Sequence, residues 1–302
     1  MKMEGVVTFV AVAETGSISE AARRLRLSKS VISERLSDLE HSLGANLIHR
    51  TTRKLSLTED GLTFLDRARR IAGEAADAEN ELAERRNEMS GPLRINAPYS
   101  LTGTYLGRAL HAFLLKHPEI SLTLELDDRF VDPSSEGFDA VIRVAPAMDT
   151  QLETQLLGSS QRVLVASPDY IARNGAPASL ADLERHRAVH FTDRSPDDWT
   201  FVTDDGPVVV RMAPNIRING CEAVRDAAIG GLGLAYLPTF VCGDAVRSGA
   251  LKIIHIGVRP DVNHIFAVYH NGRRPQAKLR ELLDHVKRAF GDPPAWDRGL
   301  GL

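Results

Sequence analysis

Long hydrophobic runs and cysteines are both scarce in this chain of 302 residues. It has no apolar run of about 18 residues, so the sequence predicts no transmembrane helix. The N-terminal apolar stretch contains Glu4 and Glu14 and lacks a small-residue cleavage site, which argues against a signal peptide. Cys221 and Cys242 are the two cysteines and do not form a CxxC pair, which disfavours a disulfide framework or a structural zinc site. We therefore expect a cytoplasmic protein with no membrane partner.

Catalytic and cofactor-binding motifs are also missing. The sequence has no GxGxxG after a strand, no P-loop, no HExxH and no GxSxG. The GGLG at 230–233 is too short for a dinucleotide fingerprint, and the ten histidines show no metal-ligand spacing. We predict that the protein is not an enzyme and has no catalytic residues, no cofactor and no metal.

Positive charge is concentrated in one part of an acidic chain. The net charge is −3, yet residues 23–54 hold eight Lys or Arg and three acids. Such a local excess is typical of a phosphate-binding surface, although a solvated charged face would look similar.

The first 57 residues show two short amphipathic helices, a tight turn, a third helix and a basic hairpin. We predict helices at about 3–14, at 20–25 with Ser19 as N-cap, and from a Ser28 N-cap to Leu43. Gly16 and Gly44 are the expected helix stops. Two short strands within 45–57 would enclose a basic tip and form a wing, whose Arg50, Arg53 and Lys54 would contact phosphate or enter the minor groove.

The third helix has two distinct faces. Its apolar face, which we expect to be buried, consists of Ile32, Leu36, Leu39 and Leu43. The opposite face consists of small hydroxyl side chains and one carboxylate, at Ser30, Ser33, Glu34 and Ser37. Small side chains let a helix enter the major groove of DNA. Glu34 has two interpretations, acceptance of a cytosine amino group or a charge that phosphates turn aside.

Residues 58–89 predict one long helix that begins at a Thr58 cap. Its alanine-rich stripe consists of Leu62, Leu65, Ala68, Ala72, Ala75 and Leu82. The stripe would pack either on its own domain or against a second copy. We favour a dimer, because the opposite face is charged and no apolar partner lies nearby in the sequence. Two-fold pairing would imply two half-sites on DNA.

Residues 3–65, and above all FVAVAETGSISEAARRLRLSKSVISERLSDLEHSLGANLIHRTTRKLSLTEDG, resemble the N-terminal domain of LysR-type transcriptional regulators. The resemblance implies a winged helix-turn-helix that reads duplex DNA with its third helix and holds the backbone with its wing. It assigns base reading to Lys29, Ser30, Ser33 and Glu34, and the wing contacts to Arg50 and Arg53. Ser28, Arg35 and Lys54 complete the set of candidate DNA-binding residues.

Strand and helix patterns alternate after Ser90-Gly91-Pro92, which predicts α/β units with parallel sheets. DAVIRVAP at 139–146 and EAVRDAAIGGLGLAYLP at 222–238 resemble the effector-binding domain of the same family. The resemblance implies a two-lobed, doubly wound α/β fold of periplasmic-binding-protein type. We predict a DNA-binding domain at 1–58, a linker helix at 59–90 and an effector-binding domain at 91–302. Lobe one would be about 92–161 with 266–302, and lobe two 162–265; we assign no role to the Pro/Gly-rich end of the chain.

A ligand of such a fold binds at the carboxyl ends of strands. Ser100, Leu101 and Thr102 follow the first strand, where hydroxyls and free N–H groups favour an effector carboxylate, although one hydroxyl would also serve as an N-cap. Arg143 would add charge or form a structural ion pair. Asn219 and Cys221 would border the same cleft; Cys221 is either a thiol activated by the helix N-terminus or a small packed residue.

These observations predict a ligand-responsive transcriptional regulator. Its expected partners are double-stranded DNA, a small-molecule effector, a second copy in a homodimer or homotetramer, and RNA polymerase. A solute-binding protein is the first alternative, and the DNA-binding pattern at the N-terminus weighs against it. An enzyme on a related α/β scaffold is the second, and it lacks a catalytic constellation.

Overall fold

The computed structural model describes residues 1–50, 55–85, 89–128, 131, 133, 137–147, 152–192, 198–203, 205–259, 261–269 and 276–302. One compact unit contains Met1–Met89, and a larger unit contains most of the chain from Ser90 to Leu302. Each unit is described by itself below. Among the described residues, no helix combines the length and apolarity needed to cross a membrane.

The N-terminal unit is helical with a small hairpin. Its elements in chain order are α1 Met3–Thr15, α2 Ile18–Leu25, α3 Lys29–Leu43, β1 Ile48–Arg50, β2 Leu55–Leu57 and α4 Glu59–Arg85. The antiparallel hairpin pairs Ile48 with Leu57 and Arg50 with Leu55. Gly16 and Gly44 end α1 and α3 with φ of 62° and 67°, in the left-handed conformation that glycine adopts without steric cost. The predicted helices and both helix stops are confirmed.

The start of α2 differs from the prediction. The helix begins at Ile18, and Ser17 is its N-cap because the Ser17 side chain accepts a hydrogen bond from the Glu20 backbone N–H. The predicted cap, Ser19, lies inside the first turn. Both serines precede the apolar pattern, and only the extended backbone of Ser17, at φ −152° and ψ 124°, decides between them.

The core of the N-terminal unit unites all of its helices. Buried apolar side chains come from every helix and from β1: Val6, Phe9, Val12, Ala21, Ala22, Ile32, Leu36, Leu39, Leu47, Ile48 and Ala68. Helices α1 and α3 approach closely at Gly5, where an added Cβ would lie 3.2 Å from both the Arg35 carbonyl oxygen and the Leu39 Cβ.

The alanine-rich stripe of α4 packs partly on its own unit. Ala68 is fully buried, Leu65 packs against the same core, and the Phe64 and Phe9 rings lie 5.5 Å apart. The alternative in which the stripe packs on its own domain therefore holds for Leu65 and Ala68, whose core includes α1, a helix distant from them in the sequence. Leu62 is 60% exposed, and the side chain of Leu82 lies outside the described residues. A dimer seam on α4 stays a prediction.

The larger unit is built on a mixed seven-stranded sheet with the order β11-β6-β13-β5-β3-β4, in which β12 also pairs with β6. Its strands are β3 Gly91–Ala97, β4 Ile120–Leu126, β5 Ala140–Ala145, β6 Glu153–Ala166, β11 Ala235–Pro238, β12 Lys252–Ile253 and β13 Asp261–Tyr269. Strand β3 is parallel to β4 and β5. Strand β13 is antiparallel to β5 and β6.

Two long strands connect the halves of this sheet. Strands β6 and β13 pair from Asp261↔Arg162 to Tyr269↔Glu153. Strand β13 then joins β3, β4 and β5, whereas β6 joins β11 and β12. For β6 and β13 the sequence pattern predicts only the parts 162–166 and 264–269, because the residues that precede these parts are mostly polar. The crossing strands suit two lobes, and the lobe boundaries stay predictions.

The half that joins β6 has further strands and its own core. Parallel β7 Arg187–Phe191 and β10 Ala213–Ile218 form one pair, and β8 Asp198–Thr203 forms an antiparallel pair with β9 Gly206–Arg211. Buried aromatic side chains are central to the core here, namely Tyr170, Trp199, Phe201 and Tyr236. The sequence predictions missed β8, β10 and β11.

Helices cover the sheet and position the candidate cleft. After β3 the chain runs through α5 Tyr99–Leu101, a π-helical turn Thr102–Leu106 and α6 Gly107–Lys116. The remaining helices are α7 Pro168–Asn174, a 3-10 helix Ala181–Arg185, α8 Cys221–Ile229, α9 Thr239–Arg247 and α10 Ala277–Phe290. Helix α9 was not predicted.

The C-terminal residues are packed rather than loose. Trp296 is fully buried and contacts Tyr105, Phe240 and Phe290 with ring centroids 4.9, 6.2 and 4.9 Å away. Its indole N–H donates to the Ser159 carbonyl oxygen on β6 at 3.0 Å. No role was predicted for this end, because its many prolines and glycines are typical of a loose segment. Trp296 nevertheless belongs to the core.

Candidate DNA-binding surface and effector cleft

The exposed face of α3 carries the candidate base-reading residues. Ser28 caps the helix by accepting a hydrogen bond from the Val31 N–H at 3.3 Å, and its oxygen lies 2.8 Å from that of Ser30. Lys29, Ser30 and Glu34 are exposed, whereas Ser33 is half-buried. The cap fixes the first turn, so a short, polar, solvent-facing helix end is available to a DNA groove.

The acids near α3 are engaged in different ways. Asp38 forms an ion pair with Lys2 at 3.3 Å. One Glu40 carboxylate oxygen accepts hydrogen bonds from the backbone N–H groups of Leu47 and Ile48, at 2.9 and 3.2 Å, and so anchors the start of the hairpin. Glu34 has neither a hydrogen bond nor an ion pair with any described residue, so its carboxylate faces solvent.

Some cations on or next to α2 and α3 form ion pairs within the described residues and others do not. Arg24 pairs with Glu14 at 2.7 Å, and Arg23 pairs with Glu20. Arg26, Lys29 and Arg35 make no ion pair with any residue in the described part of the chain. These three cations leave an excess of uncompensated positive charge beside the exposed face of α3, as phosphate binding requires.

The wing is described only in part. Strands β1 and β2 place its base beside the start of α4, where the Thr58 hydroxyl accepts from the Gly61 N–H at 2.9 Å. Arg53 and Lys54, together with the side chain of Arg50, lie outside the described residues. Their phosphate contacts stay predictions.

The predicted cleft residues Ser100 and Cys221 come together. Ser100, on α5, is 6% exposed and donates a hydrogen bond to the Glu222 carboxylate at 2.9 Å. Glu222 is the second residue of α8, so this contact joins the starts of two helices that are 122 residues apart in the chain. Thr102 follows Ser100, and its hydroxyl is buried without a hydrogen-bond partner among the described residues. Leu101 is fully buried and offers no exposed side chain.

The Cys221 thiol is not activated. Burial raises its pKa to about 12, against a smaller lowering by the Ser100 hydroxyl and a further increase from the charges of Glu222 and Asp128. The pKa of this thiol is therefore raised, with burial as the main cause, and not lowered as the alternative of a thiol activated by the helix N-terminus requires. Asn219 precedes α8 and is exposed.

Arg143 lies inside the sheet. It is 6% exposed, and its guanidinium donates to the Asn96 side-chain oxygen at 2.7 Å and to the Ile142 carbonyl oxygen at 2.6 Å. These bonds tie β5 to β3. Both acceptors are uncharged, so these hydrogen bonds are not the ion pair of the second interpretation, and an effector contact for Arg143 stays a prediction.

Glu222, which supplies the acceptor for Ser100, was not among the residues predicted from the sequence. An acid in the first turn of a helix is ordinary, so residue type and position gave no signal. Arg162 was also missed; it lies on β6 with its guanidinium carbon 4.3 Å from the centre of the Tyr236 ring.

These features define a winged helix-turn-helix protein with a two-lobed α/β domain. Residues 3–62 match the family described as "Bacterial regulatory helix-turn-helix protein, lysR family", and residues 86–291 match "LysR substrate binding domain". The chain belongs to the LysR family of transcriptional regulators.

Individual proteins agree with the family match. The chain is 30% identical over 290 residues to the transcriptional regulator CrgA of Neisseria meningitidis, covering 96% of this chain and 97% of that one. It is 31% identical over 297 residues to PtxR of Pseudomonas aeruginosa, covering 97% and 95%. Among solved structures, full-length AphB of Vibrio cholerae has a TM-score of 0.63 at 26% identity, covering 95% and 98%. The CrgA structure has a TM-score of 0.60 at 28% identity, covering 96% and 99%.

Proposed function

We propose that this regulator binds promoter DNA through α3 and the wing, in the cytoplasm where bacterial DNA lies, as a dimer or higher oligomer. The observation that carries the proposal is the N-capped, solvent-facing start of α3, with Arg26, Lys29 and Arg35 unpaired among the described residues beside it. Each head offers few base contacts, because the exposed face is short and consists largely of serines. Selective binding then requires two heads on two half-sites.

We propose further that a small-molecule effector binds between the starts of α5 and α8. Ser100 and Glu222 bring polar groups from the two lobes together there, and Cys221 and Asn219 border the contact. A ligand that binds more tightly to one arrangement of the two lobes would raise the population of that arrangement. The change would alter how strongly the regulator promotes or blocks transcription by RNA polymerase.

Fluorescence anisotropy with the DNA upstream of the protein's own gene tests the DNA proposal. We expect binding that survives competition by unrelated DNA at moderate salt, and we expect Lys29→Ala to weaken it. Arg185→Ala, an exposed position on the 3-10 helix of the larger unit, is the matched control and should bind like wild type. Equal affinity for specific and unrelated DNA would refute the proposal.

A further inference from the structure

The cleft between the starts of α5 and α8 already contains a carboxylate of the chain itself. Glu222 Oε2 accepts the Ser100 hydroxyl hydrogen bond at 2.9 Å. The other oxygen, Oε1, faces Gly103, where an added Cβ would lie 3.4 Å from it. The Ser100 hydroxyl that favoured an effector carboxylate in the sequence is therefore bonded to an internal anion.

The negative charge of Glu222 has no cationic partner among the described residues. Arg162, the arginine whose charge acts on the neighbouring Cys221 thiol, lies with its guanidinium carbon 4.3 Å from the centre of the Tyr236 ring and forms no ion pair with Glu222. Arg225, on the same helix, pairs with Asp226 at 2.8 Å and donates to the Val241 carbonyl oxygen at 3.5 Å. Arg143 bonds to Asn96 and to a backbone carbonyl.

Three charged groups act on the Cys221 thiol at the start of α8. Glu222 and Asp128 both oppose ionisation of the Cys221 thiol, and Arg162 alone among the named charges favours it. An effector carboxylate placed at Ser100 would displace Glu222 and remain beside it. Two neighbouring carboxylates repel each other strongly in a partly desolvated cleft.

From these contacts we propose that Glu222 sets the chemical class of the effector: the cleft excludes a free carboxylate from Ser100 and binds a cationic nitrogen group, an ammonium or a guanidinium. The cation would donate hydrogen bonds to Glu222 and supply the missing counter-charge, since charge-assisted hydrogen bonds are stronger than neutral ones. This proposal rests on the proposed effector cleft and replaces the carboxylate expected from the sequence.

Matched pairs of small probes test the proposal on the full-length protein. The panel is butylamine and butyrate, benzylamine and benzoate, and agmatine and 5-guanidinovalerate, at equal ionic strength. Calorimetric titration should show that wild type binds at least one cationic probe about 10-fold or more tightly than its carboxylate-bearing partner. In Glu222→Gln, which keeps an acceptor for Ser100, that ratio should fall to about one or invert.

Glu184→Gln is the matched control, because Glu184 is an exposed carboxylate of the same lobe, and it should keep the wild-type ratio. The proposal is overturned if wild type prefers a carboxylate, if no cationic probe binds, or if Glu222→Gln leaves the ratio unchanged. DNA binding is measured separately with the best cationic probe. A probe that binds through Glu222 without changing DNA affinity would contradict the coupling in the proposed function and leave the role of Glu222 standing.

Discussion

The DNA-binding head and the effector domain build their sites in opposite ways. In the head, the candidate residues that the structure describes are neighbours at the start of α3, where Lys29, Ser30 and Glu34 face solvent. In the effector domain, Ser100 and Glu222 meet across 122 residues of chain and are held by buried packing around them. A site whose residues are close in the sequence can be predicted from a local pattern. A site whose residues are far apart in the sequence depends on the sheet and its crossing strands.

Removing Trp296 should break the packing that holds the effector domain, and it has the largest expected effect. Trp296→Ala deletes a fully buried indole that contacts α9, α10 and the π-helical turn. We expect the free energy of unfolding to fall by about 3–5 kcal/mol, measured by urea denaturation.

Trp296→Phe is the control for the same site. It keeps most of the ring packing and removes the hydrogen bond to the Ser159 carbonyl oxygen, so we expect a smaller decrease in stability than for alanine. A Trp296→Ala protein as stable as wild type would show that the C-terminal residues lie outside the core in solution.

Two glycines on α4 give the corresponding test in the head. An added Cβ at Gly61 would collide with the Leu47 backbone, whereas Gly73 has nothing within 4 Å. We expect Gly61→Ala to lower the free energy of unfolding of the head by about 2 kcal/mol. Gly73→Ala should raise it by about 0.5–1 kcal/mol, because alanine favours a helix interior. Circular dichroism measures both changes in stability. Equal effects at the two positions would contradict the close contact between the start of α4 and the Leu47 backbone.

A substitution in the wing tests whether charge contributes to DNA binding by the head. Arg53→Ala should weaken DNA binding and reduce the slope of log affinity against log salt by about one for each phosphate that Arg53 neutralises. Anisotropy titrations across a salt series measure that slope. An unchanged slope would show that Arg53 neutralises no phosphate.

A smaller effect distinguishes the two serines before α2. Ser17→Ala removes the N-cap hydrogen bond to the Glu20 N–H and should cost about 1 kcal/mol of stability. Ser19→Ala lies within the helix and should change stability little, since alanine is a good helix former. The reverse order in thermal denaturation would restore Ser19 as the cap.

The smallest expected effect concerns Cys221. A neutral thiol reacts slowly, because the thiolate is the nucleophile. We expect mild peroxide to leave the DNA binding of wild type and Cys221→Ser equal in a gel-shift assay. A response present only in the wild type would make Cys221 a redox sensor in spite of its raised pKa.

The order of helices in the head could be predicted because each signal is local. Gly16 and Gly44 stop helices through their own conformational freedom, and Ser28 caps α3 through its own side chain. The same local signals misplaced the start of α2, since two serines suited the role. In the effector domain, strand β6 was predicted at less than its full length, because pairing with β13 rather than residue propensity holds its polar residues in the sheet.

By itself, the sequence determined the family, the helices of the head and the serines of the recognition face, because these depend on spacing within a few turns. Only the tertiary structure decided that Leu65 and Ala68 of the alanine stripe pack on the core of the head, that Trp296 is part of the core, and that Glu222 bonds to Ser100. Each of these depends on residues that the chain brings together from far apart. No local sequence pattern predicts the burial or the charge environment at such contacts.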